Sequence, residues 1–118
     1  MTTFLLATDS VHATAAGCDY LVDRVGTDDT VIALTVHEGG GADAERDAAD
    51  ALNVATVRLS GAVETERREG DPAGAILDAA RDHDVDEIVL VAPSGGAGST
   101  LRGVLGGADR PVVVVQPA

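Results

Sequence analysis

Lysine and tryptophan are both absent from this chain of 118 residues. Its eight basic residues are therefore all arginines, and they face twenty acidic residues, for a formal net charge of −12 at pH 7. Such an excess of negative charge repels nucleic acids and anionic membrane surfaces, so both are excluded as expected partners. The absence of lysine also excludes a P-loop, because that phosphate-binding motif depends on a lysine side chain.

Cysteine and long apolar runs are scarce as well. Cys18 is the single cysteine, so no internal disulfide can form, and we interpret it as a small buried apolar residue. No run of about 18 apolar residues occurs, which excludes an ordinary transmembrane helix. The first residues carry no basic group and reach an acid at Asp9, unlike a signal peptide. We therefore expect a cytoplasmic protein.

The charge balance also bears on stability. An acidic, lysine-free chain rich in alanine, valine and aspartate resembles haloarchaeal proteins, in which concentrated salt screens the self-repulsion. We expect the fold to need molar salt, and a full native circular dichroism spectrum in dilute buffer would contradict this. The alternative is an ordinary acidic protein from a mesophile.

Short apolar segments alternate with segments of helical periodicity along the chain, separated by glycines and prolines. The predicted strands cover residues 3–8, 30–36, 62–69, 87–92 and 111–116, with helices in each interval. Residues 54–60 are an alternative position for the third strand, because Val-Ala-Thr-Val locally favours extended structure. Near-continuous apolar strands and this alternation predict an α/β fold: one doubly wound, three-layer, Rossmann-like domain over residues 1–118 with a parallel sheet.

Two predicted strand ends carry the residues of a candidate nucleotide site. The first strand runs into Asp9, and the fourth runs into a glycine cluster that opens the last helix at Ser99. In doubly wound folds, ligands bind outside the carboxyl ends of the strands, and a helix N-terminus attracts phosphate. Asp9 is either a ligand or metal-binding carboxylate or simply the cap of the first helix, a role that Ser10 fills equally well.

Several segments resemble the universal stress protein family, and their order and spacing cover nearly the whole chain. The segments are Leu-Leu-Ala-Thr-Asp-Ser at residues 5–10, Ala-Leu-Thr-Val-His at 33–37, Val-Glu-Thr-Glu-Arg-Arg-Glu-Gly-Asp-Pro at 63–72, Ala-Ile-Leu-Asp-Ala-Ala at 75–80, Val-Asp-Glu-Ile-Val-Leu-Val at 85–91 and Arg-Pro-Val-Val-Val-Val at 110–115.

The resemblance implies a strand order of 3-2-1-4-5 and a homodimer formed through the last strand, by Val112, Val113, Val114 and Val115. It also implies an adenine-nucleotide site in which backbone groups line the base and ribose. Carried over to this chain, that site comprises Ala7, Thr8, Asp9, Val36, Ala92, Gly95, Gly98, Ser99 and Thr100, with Asp9 as the candidate metal ligand.

The glycine motif departs from the family pattern of glycine, two residues, glycine, nine residues, and glycine followed by serine or threonine. Gly98-Ser99 fits the end of that motif, but only two residues separate Gly95 from Gly98, so the loop is about seven residues shorter. An alternative alignment keeps nine residues between Gly96 and Gly106 but deletes most of the last helix.

The leading functional hypothesis is a homodimeric binding and regulatory protein of the stress response, not an enzyme, with weakened binding of an adenine nucleotide. ATP or AMP with Mg²⁺, or no ligand at all, remain alternatives for the cofactor. A slow metal-dependent nucleotide hydrolase using Asp9 and a structural dimer with a vestigial pocket are the alternatives for the function.

Overall fold

The computed structural model describes residues 1–37, 41–59, 62–92 and 98–116, apart from the side chains of His37 and Ala44. The strands are β1 (Thr3–Ala7), β2 (Thr30–His37), β3 (Ala62–Glu69), β4 (Glu87–Val91) and β5 (Val112–Val115). The helices are α1 (Val11–Leu21), α2 (Ala42–Arg58), α3 (Pro72–Asp82) and α4 (Ser99–Gly107). All strand pairs are parallel, and the sheet order is β3-β2-β1-β4-β5. The predicted fold class and strand order are confirmed.

Each face of the sheet carries its own apolar core. Phe4 and Leu6 of β1 pack toward α1 and α2, together with Cys18 and Leu52 from those helices. Leu5 lies on the opposite face of β1, where Ile76 of α3 and Val104 of α4 complete a second core. Because successive strand residues point to opposite faces, a run such as Phe-Leu-Leu feeds both layers at once.

Side-chain caps begin two of the helices at the carboxyl edge of the sheet. The Ser10 hydroxyl accepts a hydrogen bond from the Ala13 amide at 3.0 Å, and the Asp71 carboxylate accepts one from the Gly74 amide at 3.0 Å. Pro72 opens α3 at a position where its missing N–H costs nothing. The cap of α1 is therefore Ser10, and Asp9 is not needed for that role.

The ambiguous segment at residues 54–60 is not a strand, because α2 continues through Arg58. The alternative placement of the third strand there was wrong. Ala51, Ala55 and Leu59 are buried at helical spacing, while Val57 is 75% exposed. Burial of one helical stripe therefore outweighed the local β-propensity of the valines.

Other element limits differ from the predictions by one or two residues. The first, fourth and fifth strands are shorter than predicted, and α4 extends from Ser99 to Gly107. A nine-residue α4 also disagrees with the alternative glycine alignment, which deletes most of this helix.

Cys18 of α1 is 1% exposed and lies in the core on the side of the sheet that α1 and α2 cover. Burial raises the pKa of its thiol above the ordinary value, although the Arg58 charge partly opposes this. The thiol is thus packed and protonated, as its interpretation as an apolar residue requires. Among the described residues, no helix combines the length and apolarity needed to cross a bilayer.

Candidate functional site

A cleft of about 650 Å³ opens at the carboxyl ends of β1, β2 and β4. The first turns of α1, α3 and α4 close its sides. The residues that line it are Ala7, Thr8, Asp9, Ser10, His12, Ala13, Leu34, Val36, Pro72, Ile76, Leu90, Val91, Ala92, Gly98, Ser99, Thr100 and Leu101. A volume of this size lies in the range of small-molecule and cofactor sites.

The structure brings the described members of the predicted nucleotide set together in this cleft. They are Ala7, Thr8, Asp9, Val36, Ala92, Gly98, Ser99 and Thr100. The ninth member, Gly95, lies outside the described residues. Convergence of residues from four distant parts of the chain gives the prediction a geometric basis, while their contact with a nucleotide stays a prediction.

Thr8 lines the cleft, and its hydroxyl is engaged by neighbouring groups. The Thr8 Oγ1 atom lies 2.8 Å from Oγ1 of Thr14 and 3.2 Å from the carbonyl oxygen of Ser10. The Thr8 amide donates to the Leu34 carbonyl at 2.9 Å, which extends the β1–β2 pairing by one residue. The cleft floor at this point is therefore rigidly tied to both β2 and α1.

The N-terminus of α4 is the most polar wall of the cleft. Gly98 precedes this helix and provides no side-chain cap, and its carbonyl accepts from the Arg102 amide at 3.2 Å. The amides of Ser99, Thr100 and Leu101 consequently have no partner of the intrahelical type. With the two hydroxyls beside them and the positive end of the helix dipole behind, they form a favourable place for an anionic group.

Most of the remaining wall is apolar. Leu34 and Val36 of β2, Ile76 and Pro72 of α3, and Leu90 of β4 contribute to it. Val36 and Pro72 are its partly exposed members, whereas the other three are buried. A planar apolar ring with a short anionic arm fits this division, since the ring would face the aliphatic side chains and the arm the α4 amides.

Positive charge is scarce around the cleft. Asp9 is the only carboxylate among the described lining residues, His12 the only side chain that can become cationic, and no arginine lines it. Arg102 lies on α4 but is exposed and outside the lining. The segments beyond the described residues contribute no arginine either, as the sequence shows.

Metal coordination has little support within the described part of the chain. No cluster of three or more histidine, cysteine, aspartate or glutamate side chains occurs there. Asp9 thus offers one carboxylate, and its role as a metal ligand stays a prediction. His83 lies elsewhere, at the end of α3, with its Nε2 atom 3.1 Å from a carboxylate oxygen of Glu66. His37 belongs to the end of β2, and its side chain is not described.

Sequence reasoning missed the α3 contribution and His12. The approach of Pro72 and Ile76 to the cleft follows from the packing of α3 against the sheet. His12 had a detectable signal, because it lies three residues after the Asp9 that was singled out, in the first turn of the following helix.

The predicted dimer residues form the free edge of the sheet. β5 pairs with β4, and Val112, Val113, Val114 and Val115 are all partly exposed. Arg110 fixes the start of this strand, since its Nη1 atom donates to the carbonyls of Ala80 at 2.9 Å and Val85 at 2.8 Å. The dimer itself stays a prediction.

Three solved structures are similar to this one over nearly their whole length. A hypothetical protein studied for structure-based assignment of its biochemical function superposes with a TM-score of 0.85 at 18% identity, with 99% of this chain and 96% of that one covered. A universal stress protein in complex with cAMP gives 0.80 at 18% identity and coverages of 99% and 98%. An Arabidopsis thaliana universal stress protein family protein with AMP bound gives 0.78 at 15% identity and coverages of 100% and 93%.

Among curated protein sequences, none matches this chain significantly. The model of the universal stress protein family, however, matches residues 1–116. This match spans nearly the whole chain and agrees with the sheet order described above, so the protein belongs to the universal stress protein family.

Proposed function

We propose that this protein is a binding and regulatory module whose cleft holds an adenine nucleotide with a single phosphate. The observation that carries the proposal is the union, in one cleft, of an aliphatic wall and the N-terminus of α4, where Gly98 provides no side-chain cap. The base would lie against the partly exposed Val36 and Pro72, and the phosphate would accept from the first amides of α4. The relatives solved with cAMP and with AMP support this choice of ligand class.

The charge of the cleft favours one phosphate over three. Asp9 is a fixed negative charge among the lining residues, and no arginine lies beside it. A triphosphate would add several negative charges to a protein of net charge −12, and Mg²⁺ would have to offset them with one carboxylate available. The glycine segment between β4 and α4 is also shorter than the family motif, which leaves fewer amides for a β- and a γ-phosphate.

The cleft geometry favours binding over turnover. Hydrolysis of a phosphate ester requires a group that orients or deprotonates water, in addition to a metal ligand. Asp9 is the single carboxylate among the described lining residues, so one residue would have to fill both roles. A ligand that touches β1, β2 and α4 would instead hold these elements together, and the surface at the start of α4 would report its presence.

Homodimerisation through β5 completes the proposal. Among the described strands, β5 pairs with β4 alone, so its four partly exposed valines present apolar side chains and a row of backbone groups at the edge of the sheet, a combination that favours pairing with another strand. A second copy of the same strand would satisfy both requirements. The regulatory unit is therefore proposed to be a dimer with one cleft in each subunit.

Calorimetric titration with AMP, ADP and ATP, each with and without Mg²⁺ in molar KCl, tests the ligand assignment. We expect AMP to bind at one per chain and more tightly than ATP. Val36→Trp should lower the affinity for AMP at least about tenfold, because the larger side chain fills the space beside the aliphatic wall. Val57→Trp, at an exposed position of α2, should leave the affinity unchanged. No AMP binding, or equal binding by the Val36→Trp protein, would contradict the proposal.

A further inference from the structure

His12 occupies the first turn of α1, as the second residue of that helix, and lines the cleft. Its neighbours in this turn have their polar groups engaged. The Ala13 amide donates to the Ser10 hydroxyl at 3.0 Å, and the Thr14 amide donates to the Ser10 carbonyl at 3.0 Å. The imidazole is exposed, so it can meet a molecule that enters the cleft without moving a packed residue.

The surroundings of His12 make it the only source of side-chain positive charge along the described cleft wall. Asp9 is the other charged group of that wall. The lining side chains from β2, β4, α3 and α4 are uncharged; they are Leu34, Val36, Leu90, Val91, Pro72, Ile76, Ser99, Thr100 and Leu101.

Two further charged side chains, Asp71 and Arg102, are close in sequence to lining residues but are not part of the described lining. Asp71 is engaged as the cap of α3, and Arg102 is exposed on α4. The side chain of His37 and the whole of Glu38 lie outside the described residues, so their influence on His12 is distinguished by experiment.

Histidine is the side chain whose charge ordinarily changes between pH 5 and 8. An anionic ligand in the cleft would favour the protonated form of the His12 imidazole, because opposite charges at short range stabilise one another.

We propose that His12 is the specificity residue of the cleft: its imidazolium contacts the phosphate of the bound nucleotide and makes affinity rise as pH falls. The inference rests on the proposed function, since it concerns a ligand of the same cleft. The sign follows from linkage. An anion binds the protonated form more tightly, so binding takes up a proton, and the gain is complete at low pH and lost as pH rises.

The test compares ligands that differ only in the anionic arm. Adenosine 5′-sulfate carries one constant negative charge across the range, which removes the titration of a phosphate from the measurement, and adenosine carries none. We expect the wild-type protein to bind the sulfate about three- to tenfold more tightly at pH 5.5 than at pH 8, at fixed molar KCl. Adenosine should bind equally at both values.

Replacement of each of the three histidines, His12, His37 and His83, by glutamine assigns the effect. His12→Gln should abolish the pH dependence for the sulfate and keep adenosine binding, because glutamine preserves a polar side chain without the charge. His83→Gln is the matched control, since His83 lies at the end of α3 against Glu66, and it should retain the full dependence. Native circular dichroism of each variant checks that the fold is intact.

The outcomes separate the two proposals. Pronounced pH dependence that persists in the His12→Gln protein, or that disappears in His37→Gln instead, overturns the assignment of His12 but leaves nucleotide binding standing. Equal affinity for the sulfate at both pH values in the wild-type protein overturns it as well. Failure to bind adenosine, the sulfate and AMP at any pH overturns the proposed function, and the inference with it.

Discussion

The hydroxyl oxygens of Thr8 and Thr14 lie 2.8 Å apart in the corner where β1 passes into α1. Thr14 is fully buried and Thr8 nearly so, and the Thr14 hydroxyl is also 2.8 Å from the Ser10 carbonyl. A chain of donors from Thr8 through Thr14 to Ser10 satisfies every member, as a buried polar group requires. This pair therefore locks the floor of the cleft to the first helix.

Replacing Thr14 with valine tests this lock. Valine keeps the shape but removes the buried hydroxyl that bonds both the Thr8 hydroxyl and the Ser10 carbonyl, so we expect a loss of about 1–2 kcal/mol in the free energy of unfolding. Thr56→Val is the control, because Thr56 is exposed and its hydroxyl bonds the Leu52 carbonyl at 3.3 Å within a single helix. Urea unfolding in molar KCl measures both, and equal losses would show that the pair has no special role.

Close packing of α3 against α4 depends on a glycine. A β-carbon added to Gly103 would lie 2.6 Å from the β-carbon of Ala73, whereas one added to Gly106 of the same helix would meet nothing within 4 Å. We expect Gly103→Ala to lower the free energy of unfolding by about 1–3 kcal/mol through overpacking. Gly106→Ala should raise it by about 0.5–1 kcal/mol through helix propensity.

Gly103→Ala should also affect the cleft, because α4 carries Ser99 and Thr100 at its start. Displacement of α4 away from α3 should weaken AMP binding by the Gly103→Ala protein, whereas AMP binding by the Gly106→Ala protein should be unchanged. Denaturant unfolding and calorimetry on the two proteins check both effects. A stabilised Gly103→Ala protein would mean that the two helices separate at no cost.

An ion-pair cluster joins the edge strand β3 to the end of α3. The Arg68 Nε atom donates to one oxygen of Glu66 at 2.8 Å, and Nε2 of His83 lies 3.1 Å from the other. Arg68, and after it His83, holds the pKa of the Glu66 carboxyl below its usual value. Because the folded-state pKa is lowered, the stabilisation is present above the ordinary glutamate pKa and is lost as pH falls through the lowered one.

Glu66→Gln should therefore cost about 0.5–1 kcal/mol at pH 7 and make stability less sensitive to pH between about 5 and 3. Glu64→Gln removes the same charge from an exposed position of β3, so it corrects for the general relief of self-repulsion. Thermal unfolding across this range, followed by circular dichroism, gives the comparison. Parallel curves for the two variants would contradict a role for the cluster.

The dimer proposal makes a separate prediction at β5. Arginine at Val114 would place a charge in the centre of the interface, where it has no described partner, so Val114→Arg should give monomers or insoluble protein. Val57→Arg places the same charge on an exposed position of α2 and should leave the assembly unchanged. Light scattering after size-exclusion chromatography distinguishes them, and a Val114→Arg dimer would refute this interface.

The periodicity of the apolar residues, together with the glycines and prolines between the segments, was sufficient to predict most of the fold. The third strand was predicted at residues 62–69, which are the limits of β3 in the structure. At residues 54–60, by contrast, local propensity left a strand open as an alternative. The structure has the helix there, with Ala55 and Leu59 buried along one stripe of α2 and its C-cap.

The site was less accessible from sequence, for a physical reason. The end of the first strand could be located along the chain, which identified Asp9, whereas Ala7 and Ala92 were assigned through the family resemblance; the sheet order brings all three together. The approach of α3 to the cleft depends instead on how two helices pack across one face of the sheet. Pro72 and Ile76 therefore enter the lining without any local signal.

The most direct test of the account is the identity of the nucleotide that the protein retains. Protein purified in molar KCl, then denatured, would release its ligand for chromatography and mass determination. The account predicts an adenine nucleotide with one phosphate, at about one per chain or restored to that level by added AMP. Bound ATP, or an empty protein that ignores added AMP, would contradict the central claim that this cleft is a site for a singly phosphorylated nucleoside.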